Sequence, residues 1–343
     1  MKRIKLFFTL FLILFMTTCT QEKNLIETLE NKPLPDFVPP KILTHTFSNG
    51  LKLYFLPNDQ LPVFQVYAML EVGGIDEDAK KLGLLSLMMG TLRTGGTTNL
   101  KSDDVDLKLE ENAIQFGTDS NREFSSLSIN SLIKDSDLAL DLFFDHLIRP
   151  AFEENKLELN RQKQIENIKR RNEDPMDVAF REFRKKLYGD ESIWARISTE
   201  ETVKNASRAD IINFYNTFVA PNKTWLAVSG KISFEELISK IESRIKDWPK
   251  KDVERKSLSI KMEKKWAPGL FIAPKDVNQS SIIIGHLGEK RTNPDKYALT
   301  LANDLLGGSI FSSRMGNKSE PKWGLLIPFI PPLVLKQNMP LFM

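Results

Sequence analysis

Apolar residues recur along this chain at two periods, and the changes of period mark its elements. Leu51, Leu53 and Phe55 alternate with Lys52 and Tyr54 behind the turn pair Asn49-Gly50, which predicts a hairpin over Thr46–Leu56. Val63–Val72 reads as another strand, ending at Gly73-Gly74. From Gly83 to Leu92 the pattern becomes that of an apolar helix. Ser102–Ala113 predicts a second helix, with Ser102 as N-cap and Asp103 and Asp104 in its first turn. Strands are expected at Ile114–Thr118 and Glu123–Asn130. Helices follow over Asp135–Ile148, Glu153–Glu173 and Asp177–Leu187. Arg208–Thr217 reads as helix, Thr224–Ser229 as strand, and Ser233–Lys246 as a helix capped by Ser233. Beyond a charged stretch, Gly269–Ala273 and Gln279–Ile284 read as strands and Asp295–Leu306 as a helix before Gly307-Gly308. Strands and helices mix without βα alternation, so the class is α+β rather than a doubly wound sheet.

Composition narrows the partners. The 343 residues suffice for two domains with their own cores, and 41% hydrophobic with 27% charged residues is ordinary for a globular protein. Lys and Arg (48) nearly balance Asp and Glu (45), and no basic stripe emerges, so nucleic acid is not expected as a partner. Lys169-Arg170-Arg171 reads as a solvated helix face. His45, His146 and His286 lie far apart in sequence and read as structural.

The N-terminus has an export layout: Lys2, Arg3 and Lys5, then the apolar run Leu6–Phe15. That run is too short to span a bilayer comfortably. It ends at Met16-Thr17-Thr18-Cys19, which resembles a lipoprotein signal with Cys19 as the lipidated residue, although Met16 and Thr18 depart from the usual pattern. The expected divisions are a signal at 1–19, a Pro-containing tether at 20–43, a first domain at 44–248, a linker at 249–265, a second domain at 266–316 and an aberrant tail at 317–343.

Several short stretches share one resemblance. They are Ser48-Asn49-Gly50-Leu51, Gly83-Leu84 with Gly96-Thr97, Arg149-Pro150-Ala151-Phe152, Asn160-Arg161 with Glu173-Asp174-Pro175, and Tyr215 with Ala220-Pro221-Asn222. Asn278-Gln279, Gly285-His286, Leu305-Leu306-Gly307-Gly308 and Phe311-Ser312-Ser313-Arg314 continue the series. In order and spacing they resemble the insulinase/pitrilysin metallopeptidase family, which includes the mitochondrial processing peptidase. The resemblance implies two related half-barrel domains, each an antiparallel sheet packed by helices, with the second incomplete here. It also implies pairing of two chains, or of fused halves, into a clamshell.

Active members carry H-x-x-E-H on one helix and a further Glu downstream, which together hold zinc and supply a general base. Here Ser86 and Gly90 stand at the places of the two histidines, Met89 at that of the base, and Asn167 at that of the downstream Glu. A hydroxyl, a glycine and a neutral amide do not make a zinc site. Zinc is thus expected for the family but not for this chain. Arg314 matches an Arg with which non-catalytic subunits of paired relatives are thought to hold substrate; the Tyr that should follow is missing. Codons exist for Pro321–Ile330 that, read one base earlier, spell Thr-Lys-Met-Gly-Leu-Ala-Tyr-Ser-Val-Tyr, the expected continuation, so a frame shift near Asn317 is anticipated.

These readings converge on a catalytically inactive partner subunit. It would bind peptide or unfolded protein beside a zinc-bearing sibling, in the periplasm or at the outer membrane, held by a lipid anchor. The alternatives are an active zinc metalloendopeptidase with atypical ligands, a stand-alone peptide-binding lipoprotein using a groove along a Glu123–Asn130 edge strand, or a gene remnant without function.

Overall fold

The computed structural model describes residues 36, 38–255, 268–290, 293–308, 313–316 and 340–342. The signal, Cys19, most of the tether, most of the linker and most of the tail therefore lie outside the described residues. The body begins at Ile42.

Its centre is a six-stranded sheet. The strands are β1 (Leu43–Thr46), β2 (Lys52–Pro57), β3 (Val63–Leu70), β4 (Gln115–Ser120), β5 (Ser125–Leu132) and β6 (Thr224–Gly230). Their spatial order is β1-β2-β6-β3-β5-β4. Every pairing is antiparallel except β2 with β6. The last of these six strands in sequence thus fills the middle of the sheet, because β2 and β3 do not pair with each other and leave a slot between them. Alternation decides which face is dry: Leu53, Phe55, Phe64, Val66, Ala68, Leu127, Ile129, Leu226 and Val228 all point into one core.

Helices cover that face: α1 (Leu84–Thr94), α2 (Ser102–Glu111), α3 (Ser136–Ile148), α4 (Glu154–Arg170), then, after α5 (Pro175–Tyr188), which contributes nothing to this core, α6 (Glu200–Lys204), α7 (Arg208–Phe218) and α8 (Phe234–Ile245). Buried Leu87, Met88, Leu92, Leu140, Phe143, Phe144, Ile211 and Leu237 join the core from α1, α3, α7 and α8. Burying one such Leu or Phe side chain contributes roughly 1.5–3 kcal/mol. Among the described residues no helix is long and apolar enough to cross a membrane.

Four expectations need correction. First, β5 starts two residues later than Glu123, because the Asn121 side chain accepts from the backbone N–H groups of Glu123 and Phe124 and closes a turn there. Second, β5 is no edge strand: β3 and β4 flank it, and the edges are β1 and β4. Third, Ser102 is the first residue of α2 rather than its N-cap. A carboxylate from elsewhere does the capping: Glu153 accepts from the Ser102 N–H (2.9 Å) and from its hydroxyl (2.7 Å). Fourth, Gly269–Ala273 and Gln279–Ile284 are not strands. An apolar run yields a strand only where backbone groups find a partner, and none pairs with either stretch among the described residues. β7 (Leu287–Lys290) and β8 (Pro340–Phe342) form a separate antiparallel pair, with the proline at the first position of its strand. The helix α9 (Lys296–Gly307) forms as expected.

The start of the expected linker is strapped to the first sheet. Asn222 exchanges two hydrogen bonds with the Lys251 backbone. Asn49 donates to the Trp248 carbonyl (3.1 Å).

Candidate functional site

The site implied by the sequence lies where α1 crosses α4. The two helices run antiparallel: Gln164 donates to the Gly83 carbonyl at the start of α1, and Asn160 donates to the Thr94 hydroxyl near its end. Ser86 and Gly90 are one helical turn apart and share a face. Ser86 is exposed and Gly90 half-buried; the nearest atoms to an added Gly90 Cβ would be those of the Asn160 side chain, at an ordinary 3.5 Å. Asn167 is exposed on α4, one turn beyond Gln164. Met89 is different. It is buried in the main core, and its carbonyl accepts from the Thr118 hydroxyl of β4 (2.9 Å).

The entry to α1 carries the site's buried charge, which sequence reasoning missed. Gly83 has φ +99°, where a side chain is strained, and an added Cβ would come within 2.6 Å of the Gln164 amide and 3.0 Å of Val203. Its N–H and that of Leu85 both donate to one oxygen of Glu77 (3.0 and 2.8 Å). Glu77 therefore satisfies two of the free donors at the helix start. Burial pushes its carboxyl up to about 7, against the pull of those two N–H groups and of Arg196. Arg196 itself donates to the carbonyls of Gly74 and Glu77. Beside Glu77, the buried Asp76 accepts from the Gly73 N–H (2.8 Å) and pairs with Arg255 (2.7 Å). Arg255 also donates to the Glu123 carbonyl. The only signal for this cluster in the sequence was a run of three acids, Asp76-Glu77-Asp78, ahead of Gly83, too common a pattern to single out.

The four positions offer a hydroxyl, a thioether turned into the core, a glycine and a neutral amide. Zinc does not fit it. Among the described residues no three His, Cys, Asp or Glu side chains converge as a metal set. Glu166 is exposed on α4. Glu71 is engaged by Lys223 (3.3 Å) and lies 3.8 Å from Arg255. Of the histidines, His45 packs edge-on against Phe47, His146 is fully buried against Phe116, and His286 is exposed. Arg314 is exposed, and the described residues 314–316 are helical. Lys169 and Arg170 are exposed, and Arg171 donates to the Ser198 carbonyl.

Comparison with known proteins settles the lineage. Residues 58–199 match the family profile described as insulinase (peptidase family M16), and residues 205–319 match the peptidase M16 inactive domain. The chain belongs to the insulinase family. The boundary between the two matched regions falls inside the first sheet, since β6 lies beyond it and occupies the sheet's centre. An uncharacterised zinc protease of Bacillus subtilis is 22% identical over 285 residues, covering 82% of this chain and 68% of that protein. A peptidase M16 inactive domain from Pseudomonas fluorescens superposes with a TM-score of 0.70 at 19% identity, over 88% of this chain and 73% of that one. A protease from Helicobacter pylori superposes with a TM-score of 0.71 at 18% identity, over 89% and 74%. These likenesses establish the insulinase fold for this chain.

Within that fold, many family-like residues act as joints. Arg208 donates to the carbonyls of Ala151 and Phe152. Tyr215 donates its hydroxyl to the Leu147 carbonyl from a buried position. Asn160 ties α4 to α1, as above.

Proposed function

We propose that this chain is a non-catalytic insulinase-family subunit that binds peptide or unfolded protein alongside a zinc-bearing sibling. One observation carries the reading: at the positions that the family resemblance assigns to the zinc ligands, the sequence has Ser86, Gly90 and Asn167 where a zinc site needs imidazole and carboxylate, and Met89 gives no base to accept a proton from water. The paired architecture implied by the family gives such a chain a role without chemistry of its own. The basic, then apolar N-terminus and Cys19 support export with a lipid anchor at the cell envelope. Arg314, exposed near the end of α9, is the candidate substrate contact of the second unit.

The test is purification of the tagged full-length chain from its native envelope, with zinc analysis and peptide-cleavage assays. The expected result is an H-x-x-E-H-bearing partner in equal amount, with cleavage lost when the two are separated and restored when they are mixed. Stoichiometric zinc in the isolated chain after stripping and refilling, with cleavage that dies with chelator, would falsify the reading.

A further inference from the structure

The face of the sheet turned away from the core carries an aromatic slot. The strand registers place one row of outward residues across five strands in order: Thr44, Tyr54, Ala227, Tyr67 and Ser128. Tyr54 and Tyr67 are 41% and 40% exposed, so both rings stand at the surface. Ala227 lies between them and is itself exposed, so the two rings do not close over it. Neighbouring strands are about 4.8 Å apart, which puts the two tyrosine stems about 10 Å from each other. Two rings at that spacing are too far apart to pack together. A third ring seated over Ala227 would lie about 5 Å from each, within the preferred range for aromatic pairs. The adjoining row on one side, Ser229, Gln65 and Asn130, supplies hydroxyl and amide groups and no charge; the row on the other side carries Lys52, Trp225 and Met69.

We infer that Tyr54, Ala227 and Tyr67 form a binding slot for a single aromatic side chain, presented by an extended, uncharged stretch of polypeptide. Ala227 is the floor and sets the depth of the slot. The tyrosines are its walls, and Gln65, Asn130 and Ser229 offer hydrogen bonds to the visiting main chain. A visiting main chain laid along the Gln65 row meets no charged side chain there, which suits a neutral segment; Lys52 lies on the opposite side of the slot. The inference deepens the peptide-binding reading above but rests on separate geometry: recovery of a sibling tests the one, and side-chain preference tests the other.

The experiment uses the full chain and two unlabelled peptides of Gly, Ser and Asn, identical except for a central Phe or Leu, with binding followed by calorimetry. The Phe peptide should bind roughly fivefold to a hundredfold tighter, the gain from two ring contacts. Ala227→Leu fills the slot from an exposed position, so it should leave thermal unfolding unchanged and bring the Phe peptide down to the level of the Leu peptide. Tyr67→Leu should do the same by removing one wall. Equal affinity for the two peptides, no binding of either, or a Phe preference that survives Ala227→Leu would each overturn the inference.

Discussion

Two apolar stretches of this chain both read as strands in the sequence and end in different environments. In β3, Phe64 and Val66 are buried and Gln65 and Tyr67 face outward, with β6 on one side and β5 on the other. In 279–284 three isoleucines run consecutively without a paired strand, and Ile282 and Ile284 are 70% and 88% exposed. The chemistry of the side chains is alike; the availability of backbone partners is not. An apolar stretch is a strand only inside a sheet that supplies neighbours on both the hydrogen-bonding edges and the packed face.

The widest contrast comes from deleting a side chain in each stretch. Phe64→Ala should cost about 3–5 kcal/mol, because it removes a fully buried ring from between sheet and helices. Ile284→Ala should stay within about 0.5 kcal/mol, as expected for an exposed position without packing. Urea unfolding of the two variants reads the difference directly. A loss of more than about 1 kcal/mol for Ile284→Ala would mean that the second stretch packs in solution.

A second contrast lies within α1, between its exposed face and its buried entry. Ser86 and Gly90 can change at little cost, whereas Glu77 ties stability to pH. Its folded value of about 7 lies above the ordinary 4.5, so folding takes up a proton. The contribution is fully present below about 4.5 and is lost as pH rises through about 7, an effect of up to about 3 kcal/mol. His146 acts in the other direction, since burial lowers its value and stability falls as pH drops below the ordinary histidine range. Glu77→Gln should therefore flatten the fall between pH 4.5 and 7 while leaving the acid limb in place. Denaturation midpoints across pH 4–8 check this, and an unchanged slope would refute the raised value.

Gly83 gives the next smaller effect. Gly83→Ala should destabilise by about 2 kcal/mol, combining left-handed backbone strain with the approach to Val203. Gly90→Ala, where an added Cβ meets only ordinary contacts, should be neutral or slightly stabilising because alanine favours helix. If the two substitutions behave alike in thermal unfolding, the difference between entry and face is wrong.

What the chain made legible was local. The turn at Asn49-Gly50, the α1 helix and the Ser233 cap of α8 depend on residues close in sequence, and the expected elements match the structure there. The central place of β6 was not legible, because it depends on β2 and β3 leaving a slot more than 150 residues away in sequence. The same holds for the site. Ser86, Met89, Gly90 and Asn167 could be singled out through the family resemblance, but the burial of Met89 and the carboxylate under Gly83 arise only when distant segments meet. Arg255 is the clearest case: it looked like part of a charged linker, and it pairs with a buried acid 179 positions earlier.

The smallest effect separates a local cap from a remote one. Ser233 accepts from the Glu236 N–H within its own helix turn, so Ser233→Ala should cost about 1 kcal/mol whatever else is changed. Ser102 looks the same in sequence, yet its hydroxyl donates to Glu153, and Glu153 also takes the Ser102 N–H. Ser102→Ala leaves the backbone bond in place and should also cost about 1 kcal/mol, a loss that a single variant cannot tell from that of a local cap. The double-mutant cycle can. Ser102→Ala and Glu153→Gln share one contact, so their costs should fail to add by about 0.5–1 kcal/mol, whereas Ser233→Ala and Glu153→Gln should add. Strict additivity for the first pair would return Ser102 to the role of an ordinary cap and leave the start of α2 without its remote carboxylate.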